Sequence, residues 1–186
     1  MSAVVDEDPP EPHLCDGEEL ISFDGFPHGT VLAEQYATVG VHVSAEALNR
    51  RRDAVVVFDS GSVGTLDLDL EIGIGNLAII PEDVHDEDGD GLVDSPSDSY
   101  SGGTQVYTFD QDRKVLYVVV VDMDTQALQE IKTFDATGAE IATVLIPADG
   151  GGSVQTIEVG AQGVRQLQIT YWASGAIAEI CLDARD

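Results

Sequence analysis

The chain has 186 residues and a formal net charge of −27 at pH 7, and 43% of its residues are hydrophobic. Its length suits one domain, its apolar fraction excludes a disordered acidic chain, and no apolar run is long enough to span a membrane. Eight basic residues against 35 acidic residues argue against nucleic acid and anionic membranes as partners. Cations are the natural partners, although the acidity also fits a well-solvated surface suited to salty water.

Residues 1–17 are acidic and rich in proline, and we expect them to form an N-terminal tail in front of one domain at 18–186. The start of the chain has neither a basic nor an apolar segment of the kind found in signal peptides. Two accounts stay open: a secreted protein whose leader is absent from this sequence, and a cytoplasmic protein.

The two cysteines flank the domain, because Cys15 precedes the first apolar segment and Cys181 lies in the last one. The first and last strands of many β-sandwiches are neighbours. We therefore expect a Cys15–Cys181 disulfide and an oxidising compartment. Two unpaired thiols are the alternative.

The domain contains about a dozen short apolar or alternating segments, separated by Gly, Asp, Asn and Pro. Their richness in Val, Ile and Thr and their period of two predict an all-β sandwich or jelly roll of two antiparallel sheets. A short helix is expected only at 44–52. The predicted strands are 19–23, 31–36, 39–44, 54–58, 76–80, 104–109, 115–121, 128–134, 140–146, 153–159, 164–172 and 176–182.

Three of these regions allow a finer prediction. Segment 115–121 is apolar on both faces, which indicates a central strand covered on both sides. Thr137-Gly138 predicts the turn of a hairpin. Residues 81–103 form one long irregular loop, and such loops in compact domains are usually functional or disordered.

That long loop contains an Asp-rich motif with the spacing of calcium loops. Asp residues stand at positions 1, 3, 5 and 9, a glycine at position 6 permits a sharp bend, and the carbonyl at position 7 adds an oxygen. The motif is closer to thrombospondin type 3 and dockerin loops than to an EF-hand, because no helices flank it. Oxygen ligands with only one histidine nearby favour Ca²⁺ over a transition metal. The candidate ligands are Asp86, Asp88, Asp90, the Leu92 carbonyl, Asp94 and Asp98.

Other acidic residues predict either a second metal site or a plain exposed polar face. The residues Asp67, Asp69 and Glu71 alternate with leucines, so a strand here would place these acids on one face. A row of like charges is unfavourable unless a cation or solvent intervenes. The candidates for a second site are Asp59, Asp67, Asp69 and Glu82, with Asp122 and Asp124 as weaker ones.

Three stretches together, 21–45, 58–94 and 153–183, resemble a group of bacterial secreted or surface β-sandwich domains. The ending SGAIAEICLD is similar to the last strand of galactose-binding-like jelly rolls. An Ile-Asp pair recurs in that family, whereas here Ile177 is followed by Ala178 and Glu179. The resemblance implies a calcium-binding jelly roll outside the cell. It does not imply a sugar site.

We expect no enzymatic activity, because the sequence has no nucleophile elbow, HExxH, P-loop or GxGxxG motif. A ligand surface is indicated instead by Trp172, which the alternation of 164–172 places on the polar face, and by Tyr100 after the calcium motif. A tryptophan that only plugs the rim of the sandwich is the alternative.

The sequence therefore predicts an extracellular, calcium-stabilised β-sandwich for binding or adhesion, with carbohydrate at a cell surface or matrix as the expected ligand. The alternative is a structural subunit of a filament or surface layer that self-assembles through the N-terminal tail and calcium.

Overall fold

The computed structural model describes residues 15, 18–48, 53–123 and 128–184, and its ten strands pair in an antiparallel manner. In this part of the chain the helical elements are two 3-10 turns, Ala37–Val39 and Leu68–Leu70, and no helix has the length and apolar character to cross a membrane. The strands are β1 (Glu19–Ser22), β2 (Val31–Leu32), β3 (Val41–Ala47), β4 (Val55–Asp59), β5 (Asn76–Ile79), β6 (Gly103–Val121), β7 (Glu130–Phe134), β8 (Glu140–Leu145), β9 (Val154–Tyr171) and β10 (Ala176–Leu182).

Two long strands, β6 and β9, run through both layers of the sandwich. The first half of β6 pairs with β3 and with the second half of β9, which in turn pairs with β7 and its neighbour β8. The second half of β6 pairs with β10. The other edge of β10 pairs with β1 and with β5, and the sheet continues from β5 to β4 and β2. We call the group that contains β3, β7 and β8 the first layer, and the group that contains β10, β1, β5, β4 and β2 the second layer.

The change of layer occurs where the pairing of β6 with β9 is irregular. The register shifts between Thr108 and Arg113 of β6 and again before Tyr117. On β9, the facing strand, Gly160 and Gly163 have φ angles of 62° and 72°, which residues other than glycine rarely adopt. Bulges of this kind bend a strand and increase its twist, so one pair of strands can belong to two layers.

The core lies between the layers and includes one buried polar side chain that links them. Val43, Tyr107 and Ile169 of the first layer belong to the same buried cluster as Val57 and Ile180 of the second. Within this core the Gln105 amide donates to the Ala78 carbonyl at 2.8 Å and to the Tyr171 hydroxyl at 2.9 Å, and it accepts from the Tyr107 hydroxyl. Because its hydrogen bonds are made, the buried amide fixes how the two layers sit on each other.

The second layer is also covered on its outer face. Val56, Phe58 and Leu77 point away from the main core and pack with Leu70 and Val93, which come from the two loops at 60–75 and 80–102. These loops are therefore held by apolar side chains on the sandwich rather than projecting freely.

The predicted all-β sandwich is confirmed, with the two layers continuous through β6 and β9. Twelve predicted segments correspond to ten strands, because 104–109 with 115–121 and 153–159 with 164–172 each lie in one continuous strand. The prediction for 115–121 is confirmed: the strand lies between β10 and β9, and its residues 117–121 are buried. The turn at Thr137-Gly138 joins β7 to β8 as expected.

Two local predictions are wrong. The segment 44–47 belongs to β3 instead of a helix, because its pairing with β6 supplies the backbone hydrogen bonds; residues 49–52 lie outside the described residues. The segment 66–72 is not a strand, so its alternation does not place Asp67, Asp69 and Glu71 on one face. Leu66 and Leu68 are 83% and 71% exposed, whereas Asp67 is buried.

The predicted disulfide is confirmed and lies at the paired chain ends. Cys15 is bonded to Cys181 across a sequence separation of 166 residues. Next to it, β1 pairs with β10 so that Leu20 is opposite Cys181. The rest of the expected tail, residues 1–14 and 16–17, lies outside the described residues.

We expect Cys15→Ser to lower the free energy of unfolding by about 5 kcal/mol, because the disulfide restricts a very long loop of the unfolded chain. Urea unfolding of the oxidised wild type and the variant measures the difference. The reduced wild type is the control and should match the variant. A loss below about 1 kcal/mol in both would contradict the stabilising role.

Candidate calcium loop and aromatic end

The Asp-rich loop is anchored at both sides of its acidic turn. The Val93 side chain is buried, and its N–H donates to the Gly29 carbonyl at 2.9 Å. Gly29 has a φ of 86°, and a Cβ there would lie 2.4 Å from the Val93 oxygen, so only glycine permits this approach. Further along, Asp98 forms an isolated β-bridge with Pro81, which closes the loop at its base.

Three carboxylates of the loop converge on one exposed point. One oxygen from each of Asp86, Asp88 and Asp94 lies within 4.8 Å of the other two. Carboxylates this close repel one another unless a cation lies between them. Hard oxygen atoms in a flexible turn are the ligands that Ca²⁺ prefers, with further oxygens from backbone or water.

The turn is shaped by hydrogen bonds from its own backbone to these carboxylates. Asp86 accepts from the N–H groups of Gly89 at 2.7 Å and Gly91 at 3.0 Å, and Asp94 accepts from that of Glu87. Both glycines have left-handed φ angles, 77° and 87°. The glycine expected at position 6 is thus where the chain must bend.

Two of the predicted ligands are used differently. Asp90 accepts from the Leu92 N–H at 2.8 Å and is outside the group of three carboxylates. Asp98 lies with Asp67 instead of the turn: the Asp98 N–H donates to Asp67 Oδ2 at 2.8 Å, and its own Oδ2 accepts from the Gly175 N–H at 2.5 Å. The structure therefore separates Asp98 from the motif that suggested it.

Asp67 and Asp98 form a carboxyl pair that connects the loops at 60–75 and 80–102. Burial, followed by the charge of Asp67, raises the pKa of Asp98 to about 9. Burial also raises the pKa of Asp67. Two carboxyl groups in one shielded position cannot both ionise cheaply, so the pair shares a proton near neutral pH.

Two other candidates for a second metal site lie beside this pair, because Asp69 shares a side-chain hydrogen bond with Asp67 and the charge of Asp122 acts on Asp98. Asp59 caps the end of β4 by accepting from the N–H of Gly61 at 2.8 Å. Asp69 is exposed, and the Glu82 N–H donates to the Ser97 carbonyl. The buried Asp122 accepts from the Gly152 N–H and raises the pKa of Asp98 by its charge; Asp124 lies outside the described residues.

The two aromatic candidates lie at one end of the first layer. Gly103 at the start of β6 is opposite Tyr171 at the end of β9, so Tyr100 and Trp172 follow at the same end. Tyr100 is 72% exposed and Trp172 is 52% exposed. The predicted alternation is confirmed, since Leu167, Ile169 and Tyr171 are buried and Trp172 is not.

No protein-family model and no curated protein matches the chain. Discoidin II of Dictyostelium discoideum aligns with a TM-score of 0.42 and 9% identity, over 84% of this chain and 60% of its own. The K2 cleaved adhesin domain of Lys-gingipain aligns with a TM-score of 0.41 and 13% identity, over 89% and 94%. The family 32 CBM from C. perfringens NanJ, solved with galactose, aligns with a TM-score of 0.38 and 11% identity, over 83% and 98%.

These neighbours are a discoidin, an adhesin domain and a family 32 CBM. At such low identities and TM-scores they bring no ligand or residue role to this chain. Its fold class follows from its own strands.

The shared proton makes stability depend on pH. Between pH 4 and 9 the folded state keeps a proton on Asp98 that the unfolded chain releases. The free energy of unfolding therefore falls as pH rises, by at most about 1.4 kcal/mol per pH unit for one proton. Asp98→Asn, which cannot ionise, should flatten this dependence.

Urea unfolding in chelator at pH 5, 7 and 9 tests this expectation. Asp149→Asn removes a charge from an exposed aspartate and should keep the slope of the wild type. Equal slopes for the wild type and Asp98→Asn would show that Asp98 ionises normally.

Proposed function

We propose that this chain is a non-catalytic, calcium-stabilised binding module of the cell exterior, whose ligand is a carbohydrate at a cell surface or in a matrix. The observation that carries the ligand class is the exposed aromatic end formed by Tyr100 and Trp172. An aromatic ring offers a flat apolar face to the C–H face of a sugar, and its polar edge remains able to hydrogen-bond.

The protein surface favours this ligand over charged ones. With 35 acidic residues against eight basic residues, the chain repels polyanions. The outward side chains that lead along β9 to Trp172 are Gln166, Gln168 and Thr170, which are amides and a hydroxyl. Such groups donate to and accept from sugar hydroxyls without requiring a charge on the ligand.

The role proposed for calcium is to hold the turn at 86–94. Three convergent carboxylates supply hard oxygen ligands, and a bound Ca²⁺ would remove their mutual repulsion. The turn continues through the anchored Val93 and Asp98 into Tyr100. A calcium-stabilised turn would thus support the segment that presents one of the two aromatic side chains.

The disulfide supports the proposed location. Disulfides such as Cys15–Cys181 persist in oxidising compartments, which include the cell exterior and the bacterial periplasm. A long acidic loop that needs calcium also suits an environment where calcium is plentiful.

We expect excess Ca²⁺ to raise the free energy of unfolding of the wild type, by about 2.7 kcal/mol at a concentration 100 times the Kd. Asp88→Ala removes one of the three convergent carboxylates and should abolish most of this gain. Asp149→Ala, which removes an exposed charge elsewhere, should keep it.

Thermal unfolding with Ca²⁺ and with chelator, at several protein concentrations, measures the effect. Equal gains in the wild type and Asp88→Ala would reject the calcium loop. A gain that grows with protein concentration would favour the self-assembling subunit instead.

Trp172→Ala should weaken glycan binding about tenfold or more, because a stacking surface is lost. Leu145→Ala, a truncation at an exposed position on β8, is the matched control and should bind as the wild type does. Affinity electrophoresis in gels that contain neutral polysaccharides measures both. Retardation that is equal in Trp172→Ala and the wild type would remove the aromatic end from the site.

A further inference from the structure

The outer face of the first layer contains a strip without charged side chains, in a protein that is otherwise strongly acidic. The strip follows the facing halves of β6 and β9, where alternate residues point away from the core. With the hydroxyl of Ser44 on β3 included, it spans three neighbouring strands: β3, β6 and β9. We call it the neutral strip, and its members are Thr104, Val106, Thr108, Gln166, Gln168, Thr170 and Trp172, of which Val106 is only 8% exposed.

Charged residues lie only at the borders of this strip. On β7, Lys132 Nζ lies 2.5 Å from Glu130 Oε1, so the charges there compensate each other. On β3, His42 lies between Glu34 and Asp110 at 2.7 and 3.1 Å, Ser44 is the neighbour of Val106, and the exposed Glu46 is opposite Thr104. The centre of the face is therefore uncharged by composition and its edges are partly neutralised.

The polar groups of the strip are held in place by each other. Gln168 Nε2 donates to Gln166 Oε1 at 2.8 Å, and the hydroxyls of Thr104 and Thr170 are 2.8 Å apart. One bond does not exhaust an amide, so the N–H groups of Gln166 and the carbonyl of Gln168 remain able to bind a ligand or water. Pre-ordered amides lose less conformational freedom when a ligand arrives.

The length of the strip suits a chain rather than a single sugar. From Gln166 to Trp172 the face advances six residues, or roughly 20 Å at the rise of an antiparallel strand. We propose that the neutral strip is the binding surface for an extended, uncharged polysaccharide that runs along β9 from Gln166 to Trp172. This inference rests on the proposed function and adds to it the surface and the ligand class.

The charge distribution selects this occupant. A polyanion would be repelled by the net charge of −27, and a basic protein would be drawn to the acidic loops rather than to this neutral strip. A second copy of the chain would bring an equal negative charge to the interface. An uncharged polymer of hydroxyl groups matches the amides and hydroxyls without an electrostatic penalty.

Gln166→Glu tests the strip with little change in shape. The carboxylate keeps an acceptor for Gln168, but it removes the N–H donors and places a charge at the end of the strip far from Trp172. Gln111→Glu makes the same change at an exposed position in the bend of β6 and is the matched control. Urea unfolding of both variants verifies that each is folded.

The probes are xyloglucan, galactomannan and laminarin as neutral polysaccharides, with alginate and polygalacturonate as anionic ones, in affinity gels. We expect retardation by a neutral polysaccharide only, weakened about tenfold in Gln166→Glu, as for one lost hydrogen bond, and unchanged in Gln111→Glu. Short oligosaccharides of the same polymer should bind Gln166→Glu and the wild type alike, because they reach only the aromatic end.

The outcomes separate the two proposals. If Trp172→Ala loses binding but Gln166→Glu does not, the aromatic end binds sugar and the neutral strip is overturned. If the wild type binds none of the five polysaccharides, the proposed function fails together with the strip. If the wild type sediments as a dimer and Gln166→Glu sediments as a monomer, the face is an interface between copies and the polysaccharide proposal is overturned.

Discussion

The pairing of β6 with β9 is the constraint on which the rest of the structure depends. These strands stay paired from Gly103 and Tyr171 at one end to Val121 and Val154 at the other, and they pass from one layer to the next at a shared irregularity. Both layers are therefore parts of one hydrogen-bonded network. A shift of register here would turn the inner face of each layer outward at once, since successive side chains alternate between faces.

This framework explains why the loops can be long and still well placed. Loops 60–75 and 80–102 cover the outer face of the second layer through Leu70 and Val93, and they are joined to each other by Asp67 and Asp98. The acidic turn is thus exposed at its tip but fixed at its base. Acidic residues have two roles in one region, because the carboxyl pair of Asp67 and Asp98 joins the loops whereas the carboxyl groups of the acidic turn face the solvent.

Much of the fold could be predicted from local patterns. Alternation around 164–172 gave the correct faces for Leu167 and Trp172, and apolar runs located the central strand at 115–121. What local patterns could not show is the continuity of strands across a bend, because Asp110 and Gln111 in the middle of β6 are polar residues that look like a turn.

The acidic residues show the same limit at the site. The spacing of Asp86, Asp88 and Asp94 indicated a turn whose carboxylates converge, since neighbours in sequence determine that geometry. The contact of Asp98 with Asp67 joins residues 31 positions apart, and Asp67 is buried although the alternation of 66–72 suggested that it shares a face with the exposed Asp69. In both cases the tertiary packing of a loop, rather than its own periodicity, determines which side chain is buried.

The disulfide has a mechanical consequence. Because Cys15 is bonded to Cys181, tension between a segment that enters near residue 15 and one that leaves near residue 181 passes through a covalent bond. The strands between them bear almost none of that load. A module built in this way would keep its shape, and its exposed face, while it is pulled between an anchor and a surface.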